Sequence, residues 1–471
     1  MVWDFSSFQG NVAVKDEEGQ ELLYSQMMEI GRDIKDAIGD RCLVFSMCRN
    51  SIGSVVGYYA FVSHGIVPVL LNHQLEKELL GNLIKIYQPE FLWVPSEETA
   101  RYDDYDFSKV YSACDYSLLR TNFRTKYPMY EELCLMLTTS GSTGSPKFVR
   151  QSYKNVRANA ESIADYLKLT AEERPITTLP MNYTYGLSII NSHFMVGATI
   201  LLTDKGLMQK DFWSFFKNEK ATSFGGVPYT YEMLDRLRFY RMELPSLRYM
   251  TQAGGKLLPE LHEKFAEYAH NTGRQFVVMY GQCEATARMG YLPAEKSLEK
   301  CGSMGIAIPG GKFYLKDDNG QIVTSPFITG ELIYEGPNVT LGYAERGEDL
   351  VKGDERNGIL QTGDMAKFDQ DGFYFIVGRK KRFLKIYGNR VNLDEIDGMI
   401  KARFHIEVAS AGFDDHMYLF VKDASMAELV RNYVIEKTKL NPMAFKTIVI
   451  DEIPKNDSGK IMYKELERYY C

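Results

Sequence analysis

Two stretches of the chain, residues 50–75 and 175–203, carry no Asp, Glu, Lys or Arg. Length alone would admit a membrane helix in either. Polar and helix-breaking residues interrupt both: Gly65, Pro68 and Asn72 in the first, and Pro180, Asn182, Asn191 and Gly197 in the second. Each stretch therefore predicts a buried helix turning at a glycine into a buried strand, and no membrane anchor. In the first, the helix covers 52–63 and the strand 67–71. Further apolar runs at 133–138, 198–203, 221–224, 247–251 and 275–279 read as short, mostly parallel strands. Helical periods at 154–167 and 259–270 separate them. This alternation predicts an α/β fold, a mostly parallel sheet covered on both faces. Ligands of such sheets bind in polar loops beyond the carboxyl ends of the strands.

From about residue 302 to 375 the pattern shifts to short β runs and turns such as Asp318-Asn319-Gly320, Glu335-Gly336-Pro337 and Asp371-Gly372. That predicts a β-rich subdomain. The most basic run, GRKKRFLKIYGNRVN, follows it and precedes a last segment of mixed α and β character. A basic run in isolation is a solvated face. Its place between two textures predicts a linker or hinge near Gly378 to Lys381. The expected division is a large N-terminal domain, 1–378, made of α/β subdomains with a β-rich part, and a small α+β C-terminal domain, 379–471.

Composition narrows the chemistry. The 471 residues are 45% hydrophobic and 25% charged, which supplies a large core and excludes disorder as the main state. Lys and Arg number 55 against 62 Asp and Glu, a net charge of −7, so no global attraction to nucleic acid is expected. The seven cysteines form no Cys-x-x-Cys pair, and no His-Glu-x-x-His occurs. Neither a disulfide framework nor a zinc site is suggested. The opening MVWDFSSFQG lacks the basic and apolar regions of a secretory signal, so a cytoplasmic location is expected.

The strongest local signal is Thr138-Thr139-Ser140-Gly141-Ser142-Thr143-Gly144-Ser145-Pro146-Lys147. Its backbone N–H groups and hydroxyls can wrap phosphates, and the lysine adds charge. A Walker A pattern cannot be laid over it. The loop follows an apolar strand and is read as leading into a helix, a phosphate-site context.

TTSGSTGSPK resembles the phosphate loop of the adenylate-forming enzymes: acyl- and aryl-CoA synthetases, peptide-synthetase adenylation domains and luciferases. The other motifs of that family follow in order, and the resemblance covers nearly the whole chain. Tyr280-Gly281-Gln282-Cys283-Glu284 is similar to Tyr-Gly-x-Thr-Glu, which implies an aromatic ring near adenine and a glutamate holding Mg²⁺ between phosphates. Cys283 stands where the family has threonine, and Thr286 or the loop hydroxyls are the available replacements. Thr362-Gly363-Asp364 resembles the motif whose aspartate takes both ribose hydroxyls. Gly378-Arg379 followed by Lys381 resembles the hinge, which implies Arg379 near the ribose and Lys381 as the pivot of a mobile C-terminal domain. Gly388 matches the glycine past which the thiol arm runs. Lys460, in Pro454-Lys455-Asn456-Asp457-Ser458-Gly459-Lys460, matches the catalytic lysine, whose ammonium would bridge the substrate carboxylate and the α-phosphate.

For the acyl pocket the resemblance implies Tyr183, Tyr185 and Gly186, in a segment similar to Pro-Leu-Phe-His-x-x-Gly, with Tyr229 and the pair Gly254-Gly255. Tyrosines among apolar residues are as readily core. The aspartate that receives an amino group in amino-acid-activating members is absent, since Gly186 falls near its place.

The implied activity is activation of a carboxylic acid, acyl or aryl and not an α-amino acid, by ATP and Mg²⁺. Pyrophosphate is released and the acyl group passes to coenzyme A or the phosphopantetheine of a carrier protein. The alternatives are a non-catalytic nucleotide- or carrier-protein-binding member, a luciferase-like oxygenase sharing the first half-reaction, and a kinase or ATPase that would yield ADP.

Overall fold

The structure is a computed structural model that describes residues 2–123, 125–138, 147–455 and 461–470. Its centre is an eight-stranded mixed sheet. Strands Leu133–Thr138, Val67–Asn72, Leu43–Cys48 and Phe91–Pro95 run parallel through its middle. They are near-continuous apolar runs because both faces are covered. Helix Ile52–Ser63 is buried along almost its whole length, against helix Tyr24–Ile38 and the sheet, which is why it carries no charge. Among the described residues no helix is long and apolar enough to cross a membrane.

A second sheet holds parallel strands Ser223–Gly226, Tyr249–Gln252 and Gln275–Tyr280, extended antiparallel by Gly290–Tyr291 and Ile306–Ala307. The β-rich region forms a five-stranded antiparallel sheet ending in Ile359–Phe368 and Tyr374–Arg379, where Asp364 sits opposite Arg379. From Phe383 onward the chain builds apolar cores of its own, around Ile400, Val408, Leu419 and Val434, and around Phe420, Ile453 and Leu466. Hairpin Phe383–Ile386/Asn389–Asn392 turns through Tyr387 and Gly388, both at positive φ. Glycine suits that conformation at Gly388, with φ 84°.

Two expectations are corrected. The glycine-rich loop does not lead into a helix. It joins Leu133–Thr138 to an antiparallel strand, Phe148–Ser152, and helix Tyr153–Tyr166 starts only after that strand. The short run Phe-Val-Arg-Gln-Ser is fully buried and pairs on both edges. The run at 198–203 is parallel as expected, yet Ile200–Leu202 lies in a separate three-stranded sheet beside Val12–Asp16.

Candidate active site at the carboxyl ends of the second sheet

Asp364 is the most heavily used carboxylate of the site. Its Oδ2 accepts from the Tyr280 hydroxyl at 2.5 Å and from Gln282 Nε2 at 2.9 Å, and its Oδ1 lies 3.2 Å from Arg379 Nε. Burial pushes this carboxyl above its usual range, while the Arg379 charge and the two hydrogen bonds pull the other way. Gln282 also donates to the Thr362 carbonyl at 3.0 Å, so the Tyr-Gly and Thr-Gly-Asp segments are tied directly together.

Past Tyr280 the backbone doubles back. A Cβ on Gly281 would lie 1.6 Å from the Ala287 carbonyl oxygen, so only glycine fits. Glu284 sits in a single 3-10 turn, Cys283–Ala285, and its Oε1 accepts from the Tyr343 hydroxyl at 2.7 Å. The Lys147 ammonium lies 3.7 Å from the centre of the Tyr343 ring, and the Arg356 guanidinium 4.7 Å from it. Burial pushes the Tyr343 phenol up to about 12, with the Glu284 charge adding to the effect. Arg356 Nη1 also donates to the Glu284 carbonyl at 3.1 Å. Two cations and one carboxylate therefore converge where the glycine-rich loop returns to the sheet. Thr138 pairs with Phe148 across the base of that loop. Thr139, Ser140, Gly141, Ser142, Thr143, Gly144 and Lys460 lie outside the described residues. Cys283 is buried. The Thr286 hydroxyl donates to the Asn338 carbonyl at 2.8 Å, so it is turned into the core and does not replace the missing threonine.

The aromatic residues assigned to the acyl pocket divide. The Tyr183 and Tyr185 ring centres are 6.3 Å apart, and the Tyr185 hydroxyl meets Thr251 Oγ1 at 2.8 Å. Gly254, at φ 85°, passes close beneath Tyr183: a Cβ there would come within 2.8 Å of its hydroxyl. Gly255 approaches Pro228, and its carbonyl accepts from Gln252 Nε2 at 2.9 Å. Gly186 packs its Cα against the preceding loop. A Cβ there would lie 2.3 Å from the Pro180 carbonyl oxygen, so its glycine serves helix–loop packing. Tyr229 is 53% exposed at the start of helix Pro228–Arg236, with the Lys455 ammonium 5.9 Å from its ring. It faces the C-terminal segment and leaves the buried aromatic cluster.

In the basic run, neighbouring residues are anchored to opposite sides. Lys380 Nζ pairs with Glu331 of the antiparallel sheet at 2.7 Å, and Arg382 pairs with Asp394 and Asp397 of helix Leu393–Phe404. Lys381 stands exposed between them. The sequence reading missed Tyr343 and Arg356. A Gly-Tyr dipeptide and one arginine among many carry no local signal, and only the tertiary fold brings them to Glu284.

A family model described as AMP-binding enzyme matches residues 31–344. The 2-succinylbenzoate–CoA ligase of Bacillus cereus is 27% identical over 443 residues, spanning 90% of this chain and 87% of that protein. The Bacillus subtilis ligase of the same name is 28% identical over 72% of this chain and 70% of its own length. Among solved structures, o-succinylbenzoate CoA synthetase from Bacillus subtilis with its acyl-adenylate intermediate superposes with a TM-score of 0.78 at 22% identity, over 98% of this chain and 96% of that one. ATP-bound MatB from Rhodopseudomonas palustris gives 0.77 at 21% identity, with coverage of 98% and 96%.

Proposed function

The chain belongs to the AMP-binding enzyme family, and from that premise we propose that it is an AMP-forming acid–thiol ligase. A carboxylate oxygen of the acid attacks the α-phosphorus of ATP, the bond to the β-phosphate breaks, and pyrophosphate leaves. The acyl-adenylate then reacts with a thiol, forming a thioester and releasing AMP. Exchanging a poor leaving group, oxide, for AMP is what ATP contributes.

The observation that carries this reading is the convergence of Asp364, Tyr280 and Gln282 on one side with Glu284, Lys147 and Arg356 on the other. A carboxylate that can accept from a vicinal diol suits ribose, and two cations suit a triphosphate. A hard cation bound mainly by substrate phosphates needs only one or two protein carboxylates. Glu284 fits, because its Oε2 accepts no hydrogen bond from any described residue. Mg²⁺ bound there would neutralise phosphate charge. In this reading Lys147 and the loop Thr138–Gly144 hold phosphates, Tyr280, Gly281 and Gly255 border the nucleotide, and Lys460 stabilises the charge shifting onto the α-phosphate. Tyr183, Tyr185 and Gly254 border the acyl group.

Lys381 is the pivot between a 1–378 domain and a 379–471 domain, supported by its exposed position between anchors to opposite sides. Rotation about it would withdraw Lys460 and admit the thiol. Coenzyme A is the favoured acceptor, on the strength of relatives named CoA ligases along 90% of the chain. A carrier-protein phosphopantetheine is the other acceptor, and the cytoplasm is the proposed location. The test is carboxylate-dependent exchange of labelled pyrophosphate into ATP across aliphatic, aryl, hydroxy and amino acids. Exchange with one class is expected. Production of ADP in its place would overturn the reading.

A further inference from the structure

Two arginines among the described residues are almost completely buried, Arg150 at 0% and Arg288 at 2% exposure, and their surroundings differ. Arg150 has its acid, Glu355, within 2.5 Å, and backbone carbonyls around the rest of its fork. Arg288 has no carboxylate within 4 Å among the described residues. Its Nε donates to Ser188 Oγ at 3.1 Å, and its Nη1 reaches the Tyr166 hydroxyl at 3.1 Å and Met279 Sδ at 2.7 Å. Its Nη2 makes no hydrogen bond to a described residue, yet it is not one of the sealed buried atoms, so it borders open space. A guanidinium taken out of water without a counter-charge is costly, and structural packing alone does not require that cost.

The position is also fixed. Thr286 and Ala287, both at positive φ, turn the chain inward just before Arg288. Asn159 and Asn338 then hold the Arg288 carbonyl at 2.8 and 2.9 Å. The guanidinium lies over the Tyr185 ring, 4.8 Å from its centre, and Tyr185 adjoins Tyr183, whose hydroxyl stands beside Gly254. Arg288 therefore stands at the back of the aromatic cluster that borders the acyl group. Its charge is felt there: burial lowers His193 to about 4, and Arg288 adds to the shift.

We propose that Arg288 is the specificity residue of the acyl pocket and binds a second carboxylate on the acid substrate, so that the enzyme activates dicarboxylic acids. This rests on the adenylation reading above. One carboxylate lies at the Glu284 end and is activated. The other pairs with the free edge of the guanidinium fork, supplying on binding the counter-charge that no described residue provides.

The experiment pairs symmetric dicarboxylates, aliphatic from four to ten carbons and the benzene dicarboxylates, each with its monomethyl ester, in pyrophosphate exchange. At least one diacid is expected to exceed its ester by about 10²-fold or more in kcat/KM, because a buried polar site rejects a ligand lacking its partner. That ratio should collapse towards one in Arg288→Met and be partly kept in Arg288→Lys. Mg·ATP binding by both variants reports that they fold. Esters as good as diacids, or equal losses for both in Arg288→Met, would overturn the assignment. If no acid supports exchange, the adenylation reading fails separately. Calorimetric titration of the same diacids into the Mg·ATP-loaded protein then decides: binding lost in Arg288→Met upholds the role of Arg288, and no binding of any diacid ends it.

Discussion

Two buried aspartates, Asp364 and Asp397, flank the proposed pivot, and each holds an arginine from the same four-residue run, Arg379-Lys380-Lys381-Arg382. The chemistry is nearly identical, since a tyrosine hydroxyl completes each cluster: Tyr280 at 2.5 Å from Asp364 and Tyr463 at 3.1 Å from Asp397. The arginines differ. The Arg379 side chain is 61% exposed and that of Arg382 only 11%. Arg382 is also held by Asp394 and by the Ser410 carbonyl, and its guanidinium stacks 3.6 Å over Tyr463. Water can replace the exposed arginine, so Asp364 can exchange partners with a ligand. The sealed arginine is a brace between the basic run, helix Leu393–Phe404 and the segment that follows Lys460. In the proposed assignment, burial of the cation, more than burial of the acid, separates the binding carboxylate Asp364 from the structural Asp397.

The largest effect is expected from removing the brace. Arg382→Met leaves Asp397 buried and unpaired, and should cost about 3–5 kcal/mol of stability, read by denaturant unfolding. A loss similar to that of Arg379→Ala would erase the distinction. Next, Asp364→Asn should weaken Mg·ATP binding by roughly 10- to 100-fold through loss of charged hydrogen bonds, while unfolding stays close to wild type. Destabilisation as severe as that of Arg382→Met would make Asp364 a brace as well.

A smaller effect concerns pH. Burial pushes the Asp397 carboxyl up from 3.8 to about 6, against the pull of Arg382. Between these values the folded state keeps a proton that the unfolded chain has lost. The contribution of this group is therefore full below about pH 4 and is lost as pH rises through about 6. The melting temperature of the wild type minus that of Asp397→Asn should fall by a few degrees across that window and then level off. A difference that rises instead would reverse the sign of the shift. The smallest effect is that of Arg379→Ala, whose exposed ion pair should contribute no more than about 1 kcal/mol to unfolding.

Much of the site was legible because its motifs are local. Tyr280, Gln282, Asp364 and Arg379 were chosen from short runs far apart in sequence, and they meet around one carboxylate. Gly281 and Gly254 were legible for the same reason, as close backbone approach at a strand end demands glycine. Burial is what the local motifs do not carry. Tyr229 and Tyr185 look alike in sequence, yet one is exposed and the other enclosed. Gly186 reads as a pocket residue and turns out to admit the Pro180 carbonyl.

By itself the sequence determined the charge-free helix–strand units, the order of the motifs and the position of the basic run, because hydrophobic periodicity and turn chemistry act over a few residues. Only the tertiary structure decided that the glycine-rich loop closes a hairpin, that Tyr343 and Arg356 join Glu284 from 59 and 72 residues away, and that Arg288 is buried with no acid beside it among the described residues. The cost of a buried charge depends on which strands become neighbours and on what then shields each side chain from water, and neither is encoded in any one stretch of chain.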